Sequence, residues 1–159
     1  NVKESSVKFK AKIYLDYDDI LSMCNNLEHD VSKFHPYLIV GITRGGLLPA
    51  IHLSHALGVP MVPLTWQTRD YETHAWKGCN KEVLPLVKTA LETKKTVVFV
   101  DDINDTGKTF KEIKETYHIK GSKDKYVSLV ERASTIFKTD ARSLRIDDRR
   151  WIVFPWEKD

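Results

Sequence analysis

Three carboxylates within five residues, Asp101, Asp102 and Asp105, stand directly before Thr106-Gly107-Lys108-Thr109. A helix start with free N–H groups, a glycine permitting close approach and flanking hydroxyls make a cradle for phosphate. Acids beside a phosphate would repel it unless they face something else, and ribose hydroxyls or a metal ion are their natural partners. Gly107-Lys108-Thr109 also looks like the end of a Walker A loop. That motif needs a glycine five positions before the glycine of its GK[ST], and position 102 is Asp. Backbone could not wrap a triphosphate there, so this reading is rejected. The plainer alternative is a solvated turn with Thr106 as helix cap. An apolar strand feeding straight into the acids argues against it.

A second polar loop, Thr43-Arg44-Gly45-Gly46, follows the apolar run Leu38–Ile42. Other reactive side chains form no comparable pattern. His52 and His55 are three apart on one expected helix, but no third metal ligand accompanies them. Cys24 and Cys79 have no CxxC spacing, which argues against a disulfide scaffold and for a reducing compartment. Asp147-Asp148-Arg149-Arg150 reads as a charged turn.

The elements that must position these loops follow from periodicity. Residues 7–14 alternate, with Val7, Phe9, Ala11 and Ile13 on one face, and predict a half-exposed strand. Asp16 can cap a helix whose apolar stripe is Tyr17, Ile20, Cys24, Leu27, Val31 and Phe34. Leu38–Ile42 and Thr96–Val100 read as strands buried on both faces, as in a parallel sheet. A helix is expected from Leu47 to Leu57, stopped by Gly58, and a strand from Val59 to Leu64. Residues 66–80 show no period and read as a long loop. Residues 81–95 are ambiguous, because Leu84, Val87 and Leu91 suggest a helix and Pro85 a break. A helix over Thr109–His118 and a strand over Lys125–Val130 follow. The chain then reads as irregular until Trp151–Phe154.

Strand–helix alternation with apolar strands predicts an α/β fold around a mostly parallel sheet. In such sheets ligands bind beyond the carboxyl ends of the strands, where the loops 43–46 and 101–107 fall. The length of 159 residues fits one domain, taken as residues 1–159. With 42% apolar and 30% charged residues the composition is globular rather than disordered. The longest apolar stretch is too short for a membrane span, and lysines break up the first dozen residues, so neither span nor secretory leader is expected. A net charge of +3 suits anionic ligands mildly and does not mark a protein that coats nucleic acid.

Residues 97–109 resemble the phosphoribosyl-pyrophosphate (PRPP) signature of type I phosphoribosyltransferases: a hydrophobic strand, two acids, then Asp-Thr-Gly-x-Thr. Ile39–Pro49 is similar to the first pyrophosphate loop of bacterial xanthine-guanine phosphoribosyltransferases, with Thr43 where Ser is usual. Trp151-Ile152 and Pro155-Trp156 are similar to that family's C-terminal base-covering segment. The segments 66–95 and 133–148 match poorly.

The resemblance implies transfer of a phosphoribosyl group from PRPP to a purine, on a type I fold with a small hood from the terminal segments. Asp101 and Asp102 would bind the ribose hydroxyls. The 5′-phosphate would lie against the N–H groups of residues 105–109, among them Gly107 and Lys108, and the hydroxyls of Thr106 and Thr109. Asp105 would exchange a proton with N7 of the base, although an aspartate there can also simply cap the helix. Thr43, Arg44, Gly45 and Gly46 would hold pyrophosphate through backbone N–H groups, with a non-proline cis peptide expected among them. Loop 66–80 would be the lid that keeps water from the reacting carbon, with Arg69 and Lys77 either reaching pyrophosphate or solvated. Mg²⁺ would be the cofactor, held mainly by substrate and water, with Asp101 and Asp102 as its candidate protein contacts. The base would stack on Trp151 and meet the backbone at Ile152.

Arg132 aligns with a lysine that donates to the 6-oxo group. A guanidinium can donate to O6 and N7 together, so 6-oxopurines are expected over adenine. The alternatives are an acceptor other than a purine, or a regulator that binds PRPP without catalysis. The resemblance further implies a homodimer or homotetramer, in the cytoplasm, binding small molecules and neither nucleic acid nor membrane.

Overall fold

The computed structural model describes residues 11–66, 80 and 82–157. Strand β1, Lys12–Tyr14, is the described part of the alternating stretch; residues 7–10 lie outside the described residues. Helix α1, Tyr17–Ser32, begins with a reciprocal cap. The Asp16 carboxylate accepts from the Asp19 N–H at 2.7 Å, and the Asp19 carboxylate from the Asp16 N–H at 2.9 Å. Two donors otherwise orphaned at the helix start are thereby satisfied. The stripe of Ile20, Cys24, Leu27 and Val31 is buried, joined by Met23. Tyr17, expected on that stripe, is instead exposed, because it stands in the first turn at the rim of a cavity.

Strand β2 (Leu38–Thr43) feeds helix α2 (Leu47–Leu57), which Gly58 ends in the left-handed conformation. Strand β3 is Met61–Thr65 and helix α3 is Val83–Glu92. The ambiguity over 81–95 resolves as helix because Pro85 falls in its first turn, where a backbone N–H has no intrahelical partner. Strand β4 runs Thr96–Asn104, helix α4 Lys108–Tyr117 and strand β5 Lys123–Arg132. Both strands are longer than their apolar cores, and Asp101 and Asp102 belong to β4 rather than to a loop. The polar ends are held by ladder pairing, for instance Asp101 with Ser128 and Asn104 with Glu131.

Strand β6, Ala141–Ile146, occupies a region expected to be irregular. It lies at the sheet edge and buries only its two ends, so Arg142 and Arg145 obscure the apolar alternation. Strand β7, Trp151–Val153, pairs in parallel with β1 to make a separate two-stranded hood.

The main sheet has the order β3-β2-β4-β5-β6, and every described pair is parallel. Helices α1 and α2 cover one face, where Leu27, Val31 and Leu53 pack with Val98, Val100 and Leu129. Helices α3 and α4 cover the other, where Val87, Leu91, Phe110 and Ile113 pack with Val40, Val97 and Phe99. Among the described residues no helix is long and apolar enough to cross a membrane. From β2 the chain turns to β3 on one side and then places β4 on the other. The order therefore reverses between β2 and β4, and a crevice opens at their carboxyl ends.

Candidate active site

Both loops singled out by composition leave the sheet at that reversal. After β2, the Thr43–Arg44 peptide is cis, as expected for this loop. The Thr43 hydroxyl bonds to the Thr65 hydroxyl at 3.1 Å, so the side chain faces β3. The Gly46 N–H donates to the Ile42 carbonyl at 2.8 Å and the Leu47 N–H to the Arg44 carbonyl at 3.1 Å, closing the turn into α2. A Cβ on Gly45 would overlap the Asp102 carboxylate. The two loops thus touch at Gly45 and Asp102, a contact that only glycine permits.

After β4, Gly107 takes a φ of +92° and begins α4. A side chain there would also strike the Thr135 hydroxyl and the Phe137 backbone. The segment after β5 lies over this turn, with the Ile136 N–H donating to the Thr106 carbonyl at 2.9 Å. The Thr106 hydroxyl accepts from the Lys108 N–H at 3.3 Å. A cavity of about 250 Å³ over the helix start is lined by residues 101–110. A larger one, about 920 Å³, is lined by Arg44, Gly45, Leu48, Asp102, Trp156 and Glu157 among others. Asp102 lines both.

Asp101 and Asp102 lie side by side, half-buried. Burial pushes Asp101 well above the usual carboxylate range, and the neighbouring Asp102 charge adds to the shift. Burial raises Asp102 as well, although hydrogen bonds partly oppose it. One oxygen of Asp101 accepts from the Asp102 N–H at 2.8 Å, and one of Asp102 from the Ile103 N–H at 2.7 Å. Two crowded carboxylates with raised proton affinity are suited to hydroxyl donors or a cation, either of which would relieve their repulsion. Among the described residues no group of three or more His, Cys, Asp or Glu could hold a metal by itself. The acid pair therefore fits an ion liganded mostly by substrate and water.

Asp105 and Arg132 form an ion pair at 2.8 Å. Trp151 is 60% exposed, with its indole on the hood surface, whereas Ile152 is buried and offers only its backbone. Lys108 is exposed and Thr109 is partly buried. Of the 66–80 loop, residues 67–79 lie outside the described residues, as do the expectations for Arg69 and Lys77. Its described ends are anchored. Trp66 is buried and donates to Glu112 at 3.2 Å. Asn80 bonds both the Thr65 N–H and the Pro63 carbonyl at 2.8 Å, pairing with the edge of β3.

Sequence reasoning missed Glu131 and Asn104, which are buried behind the site. Glu131 accepts from the Thr139 N–H at 2.7 Å, the Thr139 hydroxyl at 2.9 Å and the Asn104 amide at 3.1 Å, and pairs with Arg142 at 3.2 Å. This network fixes the segment that covers Gly107. A charged residue inside an apolar strand run was its one sequence signal.

Residues 10–158 match the family model described as the phosphoribosyl transferase domain. The chain is 30% identical over 119 residues to a xanthine-guanine phosphoribosyltransferase of Idiomarina loihiensis, covering 75% of this chain and 70% of that protein. The crystal structure of a purine phosphoribosyltransferase from Pyrococcus horikoshii matches with a TM-score of 0.72 and 31% identity, covering 93% of this chain and 95% of that one. The xanthine-guanine-hypoxanthine phosphoribosyltransferase of Helicobacter pylori shares the fold at a TM-score of 0.66 and 22% identity, covering 91% and 92% of the two chains. With the sheet order, the paired acids and the glycine-dependent loops all in place, this chain belongs to the phosphoribosyltransferase family and carries its type I fold.

Proposed function

We propose that this protein transfers the 5-phosphoribosyl group of PRPP to a 6-oxopurine base and releases pyrophosphate, the reaction of purine salvage. The place of Asp102 in the lining of two cavities carries the reading. PRPP has a phosphate at one end of a ribose and a pyrophosphate at the other, and here Asp102, with Asp101 next to it, is shared by two cavities. The 5′-phosphate occupies the cavity over the start of α4, with donors from residues 105–109 and the hydroxyls of Thr106 and Thr109. The ribose hydroxyls donate to Asp101 and Asp102. Pyrophosphate lies toward residues 43–46. Since the Gly46 N–H is occupied by the Ile42 carbonyl, its backbone donors there are those of Arg44 and Gly45.

Transfer breaks the bond from the anomeric carbon to pyrophosphate and forms one to N9 of the base. Asp105 receives the proton that N7 gives up as the new bond forms, a task that needs a carboxylate within hydrogen-bond reach. Trp151 stacks on the base, and the backbone at Ile152 meets its pyrimidine edge. Asp101 and Asp102 are the residues that would touch a Mg²⁺ ion held mainly by substrate and water, which would supply charge to offset that of the leaving pyrophosphate. A buried free Cys24 thiol suits a reducing, cytoplasmic setting. Exposed Leu48 and Ile51 on α2, which line one cavity with the exposed Tyr17 of α1, support association into a homodimer or homotetramer.

The test is pyrophosphate release from PRPP with guanine, xanthine, hypoxanthine, adenine, uracil and orotate. The 6-oxopurines are expected to give the highest kcat/KM. Preference for adenine or a pyrimidine would replace this reading by another acceptor. PRPP binding without turnover on any base would make the protein a non-catalytic PRPP binder.

A further inference from the structure

Arg132 ends β5 with a side chain only 11% exposed, although it carries a full charge. Two segments of chain converge on its guanidinium. Nε donates to Asp105 Oδ1 at 2.8 Å. Nη1 donates to the Asp148 carbonyl at 3.1 Å, and Nη2 to the Arg150 carbonyl at 2.8 Å. The turn that supplies those carbonyls is braced within itself. Arg150 donates from its N–H and its Nε to the Asp148 carboxylate, at 3.0 and 2.8 Å. Trp151 follows directly, with its N–H bonded to the Ala11 carbonyl in the hood. One side chain therefore joins the candidate proton-exchanging carboxylate to the turn that sets down the candidate stacking ring.

We infer that Arg132 is a positioning residue, which orients Asp105 and seats the 148–150 turn, and that base selection does not depend on its reading of O6. The inference rests on the purine-transferase reading above and assigns Arg132 a different part in it. A guanidinium spreads its donors over three nitrogens in one fixed plane and so spans a carboxylate and two carbonyls, whereas the three donors of an ammonium radiate from a single point. Asp105 is 48% exposed and would otherwise take several rotamers. Held through Oδ1, it keeps its other oxygen for the N7 proton. The same fork fixes the approach to Trp151, so carboxylate and ring keep one mutual geometry. Of the five N–H groups on an arginine, one on each terminal nitrogen is left over. Direct reading of the base through these is the rival, and selectivity separates the two.

The experiment compares the parent with Arg132→Lys, Asp105→Asn and the double variant. It measures kcat and KM for PRPP, guanine, hypoxanthine and adenine, alongside Tm. A displacement of about 1 Å at a reacting group can cost ~100-fold, so Arg132→Lys is expected to lower kcat roughly 10- to 100-fold. KM for PRPP should stay within about twofold, and so should the guanine-to-adenine ratio of kcat/KM. Most of that loss in kcat should vanish in the Asp105→Asn background, because two residues acting as one unit are not additive. A shift in the ratio of about tenfold or more, additive losses, or an unchanged kcat would each overturn the inference. Should Arg132→Lys fail to fold, Arg132→Gln is the second variant. Failure of both would make Arg132 a residue of the fold and overturn the positioning role too. A parent inert with every purine would remove the transferase reading and this role with it. An active parent whose variants behave like it removes this role alone.

Discussion

Asp124 and Asp101 sit on neighbouring strands at opposite ends of one sheet, and their surroundings treat them oppositely. Asp124 lies near the amino end of β5 with its side chain 8% exposed. Tyr126 donates to it at 2.7 Å, Ser122 at 2.8 Å and Lys114 at 3.0 Å. Burial alone would raise its pKa, but these hydrogen bonds and the Lys114 charge more than offset that and hold it below the usual range. Asp101, near the carboxyl end of β4, is paired with no cation among the described residues; burial and the Asp102 charge drive it upward. The first arrangement stabilises the fold. The second crowds two carboxylates whose demand the other described residues do not meet, as suits a candidate binding site.

Three substitutions sharpen or break this contrast. The largest effect belongs at the carboxyl end. Asp105→Asn should lower kcat by about 10²- to 10⁴-fold, the usual contribution of a positioned acid–base group. Its PRPP affinity should stay nearly unchanged, and an equal loss in both would make Asp105 a binding residue.

Asp102→Asn comes next. It removes an acceptor for ribose and should weaken PRPP about tenfold, close to the ~1.4 kcal/mol of one charge-assisted hydrogen bond. Because it also removes a charge that burial penalises, its Tm should equal or exceed that of the parent. Calorimetric titration and a thermal melt check both halves, and unchanged PRPP affinity would remove Asp102 from the ribose site.

The smallest effect on function belongs at the amino end. Asp124→Ala should cost about 2 kcal/mol of stability, or roughly 4–8 °C in Tm, with turnover unchanged. The pH dependence has a definite sign. A folded pKa below the unfolded value of about 3.9 means that Asp124 stabilises fully above that pH and loses its contribution as pH falls through the folded pKa. The acid limb of the stability profile should therefore be shallower in the variant. Asp101 acts in the opposite sense. Its folded pKa lies above the unfolded one, so its contribution worsens as pH rises between them. If Asp124→Ala lowered kcat at unchanged Tm, the division between a structural and a functional end would fail.

The candidate phosphate half of the site was legible because it is contiguous. A strand, two acids and a glycine turn at a helix start act through their own backbone, so order along the chain is nearly order in space. The base half was legible only by name. Trp151 was singled out as a candidate stacking ring, but its place in the fold depends on Ala11, Arg132 and the 148–150 turn, brought together from separate segments. Edge strand β6 was missed because its outward arginines hide a period of two. The helix at 83–92 stayed open because propensity alone cannot weigh a first-turn proline against the packing of Val87 and Leu91.

Local order along this chain determined the α/β class, the buried strands, the helix stops and the acid-rich turn, since each depends on contacts within a few residues. Only the tertiary structure decided the sheet order, and with it the reversal between β2 and β4 that presses Gly45 against Asp102. It alone decided that Arg132 faces Asp105, because parallel pairing is set by packing across the whole sheet. Charge followed the same rule. Asp101 and Asp124 are the same residue type in similar strands, and the burial, charges and donors that the fold places around each one set its proton affinity.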